Sequence, residues 1–189
     1  MENERNKSLS AQITADDFYN MPDHGGYNEL VRGKLMPTTP NNTKIGLVIM
    51  QLAVALGNFA NSRQLGIFFA ARTGFTLQQN PDTVRAPDVA FVAQSRIPEE
   101  GVPETGFWAI APDLVAEVVS PNDRMTEIQD KVTDYLAAGV RLVWVVDPKT
   151  ETVTVYQSLK QVKVLVAEDV LEGEDVLPGF ELALKKLFS

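Results

Sequence analysis

Two nearly uninterrupted apolar segments, separated by a segment of helical character, do most to limit the fold of this chain. The first is Leu114-Val-Ala-Glu-Val-Val119, and the second is Val140-Arg-Leu-Val-Trp-Val-Val146. Apolar segments of this length are typical of strands that are covered on both faces. Residues 123–138 between them predict a helix, because Gly139 follows in the position that often ends one. The order strand, helix, strand predicts a right-handed crossover unit with parallel strands.

Glu117 is a carboxylate inside the first of these apolar strands. Burying an unpaired carboxylate is costly or raises its pKa until the group is neutral, so a compensating charge is expected. A second acid, Asp88, begins another apolar strand in Ala86-Pro-Asp-Val-Ala-Phe-Val92. Two acids at similar depth on successive strands can share a divalent cation. We therefore expect Asp88 and Glu117 to meet at a metal site.

Shorter patterns predict the rest of the fold. Apolar residues recur every three or four positions from Asn41 or Asn42 to about Asn61, which indicates a long core-facing helix. Asn122 or Asp123 is expected to cap the later helix. Short strands are predicted within residues 28–36, 65–71, 74–78, 152–157 and 161–167, a short helix at 14–21, and a C-terminal segment, 176–188, that packs as a lid. The predicted fold class is α/β (α+β), with a mixed central β-sheet flanked by helices.

The length and composition favour one domain. The polar, aperiodic residues 1–12 predict a flexible N-terminal tail, which leaves residues 13–189 as the folded unit. The N-terminus lacks the apolar core of a secretory signal, so the expected compartment is the cytoplasm. The most apolar segment, Ile45 to Ala60, is interrupted by polar residues and glycine, and no membrane span is expected.

Residue types exclude several kinds of site. The chain has no cysteine, which excludes disulfides, thiolate metal sites and cysteine nucleophiles. His24 is the single histidine, which excludes zinc sites built from several histidines. The net charge of -8 does not favour tight binding of a polyanion, although bound divalent cations would neutralise part of an acidic cleft.

A metal-dependent hydrolase usually also has a lysine or another acid to manage the attacking water molecule. Period-two alternation would place a Glu-x-Lys lysine on the same face as Glu117, but that position is Val119. The nearest candidate is Lys131 in the following helix, with Tyr135 one turn later on the same face. Lys131 can reach the strand if the helix packs over it.

Six motifs together resemble the Uma2 group of restriction-endonuclease-like proteins, which is built on the PD-(D/E)xK nuclease fold, and the resemblance covers most of the chain. The motifs are Tyr27-Asn-Glu-Leu-Val-Arg-Gly-Lys, Ala86-Pro-Asp-Val-Ala-Phe-Val, Pro112-Asp-Leu-Val-Ala-Glu-Val-Val-Ser-Pro-Asn-Asp, Lys131-Val-Thr-Asp-Tyr-Leu-Ala-Ala-Gly-Val, Val143-Trp-Val-Val-Asp-Pro and Leu177-Pro-Gly-Phe. The resemblance implies a restriction-endonuclease-like core in which Asp88 and Glu117 bind Mg²⁺ or Mn²⁺. It also implies that Lys131 replaces the lysine missing at Val119 and that Glu29 joins the site.

One position departs from the family pattern. Members of the family commonly carry a histidine at the start of the long helix, where this chain has Lys44. Lys44 could contact a phosphate instead, as could Tyr135.

These observations lead to an expected function and to two alternatives. The expected function is that of a Mg²⁺-dependent endonuclease that hydrolyses phosphodiester bonds of nucleic acid, with DNA as the substrate and a homodimer as a plausible assembly. Asp88 and Glu117 would hold the cation, Lys131 would orient or deprotonate the water, and Glu29 would complete or support the metal shell. The net charge, Val119 and Lys44 favour the first alternative, a catalytically inactive interaction protein on the nuclease scaffold. The second is a hydrolase of smaller phosphoesters.

Each candidate also has a purely structural interpretation. Glu117 could be the ion-pair partner of Arg141 or Lys131, and Asp88 could be a turn or strand-edge acid. Glu29 could face solvent and pair with Lys34 across a hairpin, and Lys131 could form a surface pair with Glu127. Tyr135 could be a packing residue with a solvated hydroxyl. Asp113 is placed outside the site, because it lies nearer the start of the strand that contains Glu117.

Overall fold

The computed structural model describes residues 12–22 and 28–189, and the helices and strands lie within these ranges. The helices are α1 (Ala15–Tyr19), α2 (Thr43–Asn61), α3 (Met125–Ala137) and α4 (Leu184–Leu187). The strands are β1 (Asn28–Val31), β2 (Lys34–Pro37), β3 (Gly66–Ala70), β4 (Phe75–Gln78), β5 (Thr83–Arg85), β6 (Val89–Ala93), β7 (Leu114–Val118), β8 (Leu142–Asp147), β9 (Thr152–Ser158), β10 (Gln161–Leu165), β11 (Val170–Glu172) and β12 (Glu181–Ala183). Most of the predicted tail and His24 lie outside the described residues.

The two apolar segments form adjacent parallel strands, β7 and β8, inside a six-stranded sheet. The strand order is β10-β9-β8-β7-β6-β3, and every other neighbouring pair in this sheet is antiparallel. Helix α3 connects the two parallel strands, as the pattern of apolar residues predicts. The predicted fold class, a mixed central sheet flanked by helices, is confirmed.

A second sheet of four strands, in the order β2-β1-β5-β4, was not predicted. The strands β3 and β4 are consecutive in the sequence but lie in different sheets, with a turn at Arg72 between them (φ 72°). Strand β5 was also missed, because only three residues separate the predicted turn at Asn80-Pro-Asp82 from Ala86-Pro87. Since proline offers no N–H to a ladder, Pro87 falls between β5 and β6 rather than inside one long strand.

Helices cover both faces of the six-stranded sheet. The apolar stripe of α2 packs on one face through Ile45, Val48, Leu52 and Leu56, all of them buried. The C-terminal segment packs against the same core through Leu177, Phe180, Leu184 and Leu187. It is therefore part of the core rather than a lid. Helix α3 covers the other face through Ile128, Val132 and Tyr135.

Helix α2 is long and apolar enough to cross a membrane, contrary to the expectation from its polar interruptions. The qualifying stretch is Thr43–Ala60, with a mean hydropathy of 1.5 and 28% of its residues buried. Length and composition alone cannot distinguish a membrane span from a core helix. In this structure one face of α2 packs against the sheet, whereas Leu47, Met50 and Val54 are exposed on its other side.

The start of α3 differs from the prediction. The residue before the first helical residue is Arg124, and neither Asn122 nor Asp123 caps the helix. Asp123 instead accepts a hydrogen bond from the backbone N–H of Ser120 at 2.8 Å, which closes the turn after β7. The carboxylate of Glu127 accepts from the backbone N–H of Arg124 at 3.3 Å. At the other end of the chain, α1 begins after Thr14 as predicted but ends at Tyr19, two residues early.

Candidate active site

The antiparallel pairing of β6 and β7 brings Asp88 and Glu117 together. Val89 lies opposite Ala116, so continuing the register by one residue places Asp88 opposite Glu117. Directly opposed residues have Cβ atoms about 4.5–5.5 Å apart. Oδ2 of Asp88 accepts a hydrogen bond from the backbone N–H of Val118 at 2.8 Å, which holds it at the end of β7. The predicted adjacency of the two acids is therefore present in the structure.

Lys131 reaches this pair of acids from α3, which packs over the strand. Its Nζ lies 3.0 Å from Oε2 of Glu117 and 3.6 Å from Oε1 of Glu29, and only 19% of its side chain is exposed. The alternative in which Lys131 forms a surface pair with Glu127 is therefore wrong. Of the two structural ion-pair partners considered for Glu117, Lys131 is present, whereas Arg141 pairs with Asp113 instead.

Tyr135 lies one turn beyond Lys131 and is fully buried. Its hydroxyl donates a hydrogen bond to Oε1 of Glu117 at 2.5 Å. The hydroxyl is therefore neither solvated nor available at the cavity wall, and this position does not support the expected contact with a phosphate. One turn of α3 thus supplies a donor to each carboxylate oxygen of Glu117.

Glu29 joins the site from β1, in the second sheet. It is buried, and across the hairpin it lies opposite Met36 rather than Lys34. Its Oε2 accepts from Nη1 of Arg85 at 2.8 Å, and its Oε1 accepts from the backbone N–H of Ala86 at 2.9 Å. The solvent-facing alternative for Glu29 is therefore wrong.

Arg85 continues this network to Asp134 on α3. Its Nε and Nη2 donate to Oδ2 of Asp134 at 3.0 and 2.6 Å. Arg85 is buried, and 10% of the Asp134 side chain is exposed. The exposed guanidinium of Arg32 also reaches Asp134, at 3.3 Å. Sequence patterns missed both members of the pair, although Asp134 lies on the face of α3 that carries Lys131 and Tyr135.

The protonation of the site follows from burial and from this network. Burial raises the pKa of Glu117 to about 7, and the charges of Asp88 and Glu29 add to the effect against the opposing charge of Lys131. Burial also raises the pKa of Asp88, despite its hydrogen bond from Val118. For Glu29 the charges of Lys131 and Arg85 outweigh burial and lower its pKa. Burial would lower the pKa of Lys131, but Glu117 and Glu29 together raise it, so the amine stays protonated.

A cavity of about 560 Å³ opens over these groups. Its wall includes Glu29, Arg85, Asp88, Glu117 and Lys131, and it also includes Asn41 just before α2. Nδ2 of Asn41 lies 3.4 Å from Oδ1 of Asp88, a contact that sequence reasoning missed. Lys44 is exposed in the first turn of α2 and is not among the residues of the cavity wall.

Asp113, which the sequence placed outside the site, lies at the opposite end of β7. It is fully buried, accepts from the backbone N–H of Ala93 at 2.9 Å, and has Arg96 and Arg141 at 3.2 and 3.5 Å. Asp113 therefore has a structural explanation that does not involve the cavity.

The donor set can be tested for its fit to a divalent cation. No group of three or more His, Cys, Asp or Glu side chains suited to a metal occurs within residues 12–22 and 28–189. Asp88 and Glu117 are a pair of hard oxygen donors at one end of two strands, both with raised pKa values. Mg²⁺ is commonly held by one or two carboxylates and otherwise by water and substrate phosphates. The pair fits Mg²⁺ or Mn²⁺ in that mode and does not fit a metal that needs a full protein cage.

The fold and the sequence were compared with those of known proteins. A crystal structure titled as that of a putative nuclease belonging to DUF820 from Anabaena variabilis has a similar fold, with a TM-score of 0.81. The two chains are 23% identical, and the similarity covers 93% of this chain and 97% of that one. No protein with a curated description matches. The model of the Uma2 family, described as "Putative restriction endonuclease", matches residues 15–185, and the chain therefore belongs to the Uma2 family.

Proposed function

We propose that this protein is a Mg²⁺-dependent endonuclease that hydrolyses phosphodiester bonds of DNA, and that Mn²⁺ can replace Mg²⁺. The family description and the fold of the solved neighbour support a nuclease. The single observation that carries the metal dependence is a charge imbalance at the cavity. Within the part of the chain that the structure describes, four carboxylates, those of Glu29, Asp88, Glu117 and Asp134, face two buried or nearly buried cations, Arg85 and Lys131, and one exposed cation, Arg32, which reaches Asp134.

The location of the imbalance supports a cation between Asp88 and Glu117. Glu29 and Asp134 are satisfied by Arg85, whereas the pKa values of Asp88 and Glu117 are both raised. A raised carboxyl pKa means that the ionised form lacks full compensation. A divalent cation would supply the missing positive charge at the two carboxylates that need it.

The role of Lys131 follows from its charge. In the metal-free protein its pKa is raised by Glu117 and Glu29, so the side chain is an ammonium that donates hydrogen bonds. Of the two roles expected for Lys131, the structure supports orienting the water or stabilising charge on the phosphate. When bound, the cation would polarise the phosphate and lower the pKa of a water molecule. Asp88 and Glu117 would position it, and Tyr135 would fix the carboxylate of Glu117.

The decisive experiment is a calorimetric titration of Mn²⁺ into the wild type, Asp88→Ala and Asp130→Ala. Asp130 is an exposed acid in the wall of the same cavity and is the matched control. We expect binding to the wild type and Asp130→Ala and its loss in Asp88→Ala. The proteins that bind are then tested for cleavage of supercoiled plasmid with Mg²⁺ or Mn²⁺, with Lys131→Met as the inactive variant. A wild type that binds Mn²⁺ and cuts neither DNA nor RNA would contradict an endonuclease.

A non-catalytic interaction protein is the second candidate, and one observation favours it. Lys131 and Tyr135 already satisfy both oxygens of Glu117 without a cation. If this closed arrangement were the functional state, Mn²⁺ would bind neither the wild type nor any variant. A hydrolase of smaller phosphoesters remains a third candidate, and it would cleave nucleotides but no polymer. The homodimer is a further proposal, which light scattering of the purified chain can test.

A further inference from the structure

We infer that Arg85 is a positioning residue of the active site. Its ion pair with Glu29 prevents Glu29 from drawing Lys131 away, so that Lys131 stays paired with Glu117. This inference rests on the proposed function. It assigns a role to a buried arginine that is neither a proposed metal ligand nor a group that touches the reacting atoms. The geometry that carries it joins both large sheets and one helix. Glu29 on β1 and Arg85 on β5 belong to the four-stranded sheet, Glu117 on β7 belongs to the six-stranded sheet, and Lys131 and Asp134 lie on α3.

The first step concerns the contacts of Glu29. One oxygen accepts from Arg85 at 2.8 Å, and the other accepts from the backbone N–H of Ala86 at 2.9 Å. Both oxygens therefore have a donor from β5 or the residue after it. Lys131 lies 3.6 Å from Glu29 but 3.0 Å from Glu117, so Glu117 is its nearer partner.

The second step concerns what would happen without the guanidinium. Among its present hydrogen-bond donors Glu29 would keep the backbone N–H of Ala86, and the residue is only 3% exposed. A buried carboxylate without a partner takes the nearest available cation. That cation is Lys131, whose flexible four-carbon stem can move its ammonium by the small distance that separates its two glutamates.

The third step explains why an arginine is needed. Arg85 uses Nη1 for Glu29 and both Nε and Nη2 for Asp134. Three donors in a rigid planar fork can serve two carboxylates at once, whereas a lysine ammonium is a single point charge on a flexible stem. Because Asp134 and Lys131 lie on the same helix, the fork also fixes α3 against β5 at the height of the site.

The test compares four variants by Mn²⁺ calorimetry and by the cleavage rate at saturating Mn²⁺ and DNA. Arg85→Met is expected to lower the maximal cleavage rate about 100-fold, the loss found when one hydrogen-bond donor that stabilises developing charge is displaced. Its Mn²⁺ affinity should be unchanged or higher, because the ammonium that competes for Glu117 has moved away. Arg85→Met combined with Glu29→Gln should return cleavage to within about tenfold of the wild type, since an uncharged Glu29 replacement no longer attracts Lys131.

The other two variants separate positioning from folding. Arg96→Met removes a matched arginine–carboxylate pair at the far end of β7, and it should change neither Mn²⁺ affinity nor cleavage. Glu29→Gln alone is the reference for the double variant. Both should bind Mn²⁺ and cleave at similar rates, because neither carries the Glu29 charge that would draw Lys131 away from Glu117. Loss of Mn²⁺ affinity in Glu29→Gln would identify Glu29 as a metal ligand and overturn the inference. So would a parallel loss of affinity, cleavage and melting temperature in Arg85→Met that the double variant does not relieve.

A crystal structure of the variant tests this inference independently of the proposed function, because it shows the position of Lys131 directly. In Arg85→Met, or in Arg85→Lys if the first variant does not fold, Nζ of Lys131 should lie within about 3 Å of Glu29 rather than Glu117. This result would support the positioning role even if the wild type neither bound Mn²⁺ nor cut DNA. Lys131 unmoved on Glu117 would overturn the inference even if the wild type proved to be an active nuclease.

Discussion

The hydroxyl of Tyr135 donates a hydrogen bond to Glu117 at 2.5 Å, and both side chains are buried. The bond joins the last turn of α3 to the end of a central strand, so one contact serves packing and site geometry together. Burial, followed by the charge of Glu117, raises the pKa of Tyr135 well above its usual value, and the phenol therefore stays protonated as the donor. A tyrosine in this position fixes the orientation of the carboxylate that it contacts.

Tyr135→Phe should therefore reduce both stability and activity. The ring can keep its packing, but Oε1 of Glu117 loses a buried donor. Leaving a buried acceptor unsatisfied costs about 1–3 kcal/mol of unfolding free energy. We expect a cleavage rate about tenfold lower, as found when a partner that orients a metal-binding side chain is lost. Urea unfolding and plasmid cleavage measure the two effects.

Tyr156→Phe is the matched control for this variant. Tyr156 lies on β9, is half-buried, and packs against the same core layer as Tyr135. It is not in the wall of the cavity. The control should keep wild-type cleavage. Equal effects of the two substitutions would mean that the hydroxyl of Tyr135 has no special role.

The stability of the metal-free protein should fall as the pH rises from about 4.5 to about 7. Burial raises the pKa of Glu117 from 4.5 to about 7, so the folded protein holds this proton more tightly than the unfolded chain. The stability contributed by the protonated group is complete below pH 4.5 and is lost as the pH rises through 7. The shift corresponds to a loss of about 3 kcal/mol. Urea unfolding at pH 5 and pH 8 without divalent cations measures it.

Glu117→Gln should remove this dependence and should be more stable than the wild type at pH 8. Glu29 does not cancel the effect, because its pKa is lowered and its own stabilising contribution is lost only at more acidic pH. Glu127→Gln, an exposed control on the first turn of α3, should keep the wild-type slope. Adding Mg²⁺ should stabilise the wild type more at pH 8 than at pH 5. A wild type equally stable at both pH values would contradict a buried carboxyl with a raised pKa.

Sequence patterns identified the helices and strands of the site better than the contacts between residues that are distant in sequence. Apolar patterns predict the strand that carries Glu117 and the helix that carries Lys131. The parallel pairing of β7 with β8 follows from the order strand, helix, strand. Arg85 and Asp134 were missed because they are 49 residues apart in sequence and belong to different layers. No local pattern records such a pair. The division into two sheets was missed for a similar reason, because β5 is short and its partners are distant in sequence.

Asp113→Asn should destabilise the fold without affecting the metal site. Asp113 is as deeply buried as Glu117 and directly precedes the same strand, but its partners are Ala93, Arg96 and Arg141. Weakening this cluster should cost about 1–3 kcal/mol of unfolding free energy. Both arginines are partly exposed and can be solvated when the carboxylate charge is removed. The measurement is urea unfolding combined with Mn²⁺ calorimetry.

The affinity of the folded variant decides the meaning of that result. An Mn²⁺ affinity equal to that of the wild type would confirm that burial of an acid on β7 is not sufficient for metal binding. Loss of affinity in a variant that is still folded would show that the two ends of the strand are coupled. In that case the charge imbalance around Glu117 would no longer locate the site.

Binding of a DNA strand should depend on three exposed arginines at the mouth of the cavity. Arg32 and Arg72 lie in two strand-connecting turns, both with positive φ (49° and 72°), and Arg124 precedes α3. Acidic residues share this rim, so the expected affinity is modest and sensitive to salt. Each arginine that contacts a phosphate should contribute about 0.9 to the slope of log affinity against log salt concentration.

Replacing all three arginines with glutamine should therefore reduce the salt slope by up to about 3 and leave Mn²⁺ affinity unchanged. Fluorescence anisotropy of a labelled duplex, with Ca²⁺ in place of Mg²⁺ to prevent cleavage, gives the slope. Arg63→Gln is the control, because Arg63 is exposed just beyond the far end of α2, about 30 Å along the helix from Asn41. An unchanged slope in the triple variant would mean that no polymer lies across this rim. The cavity would then suit a smaller phosphoester, which needs the cation and Lys131 but no contacts to flanking phosphates.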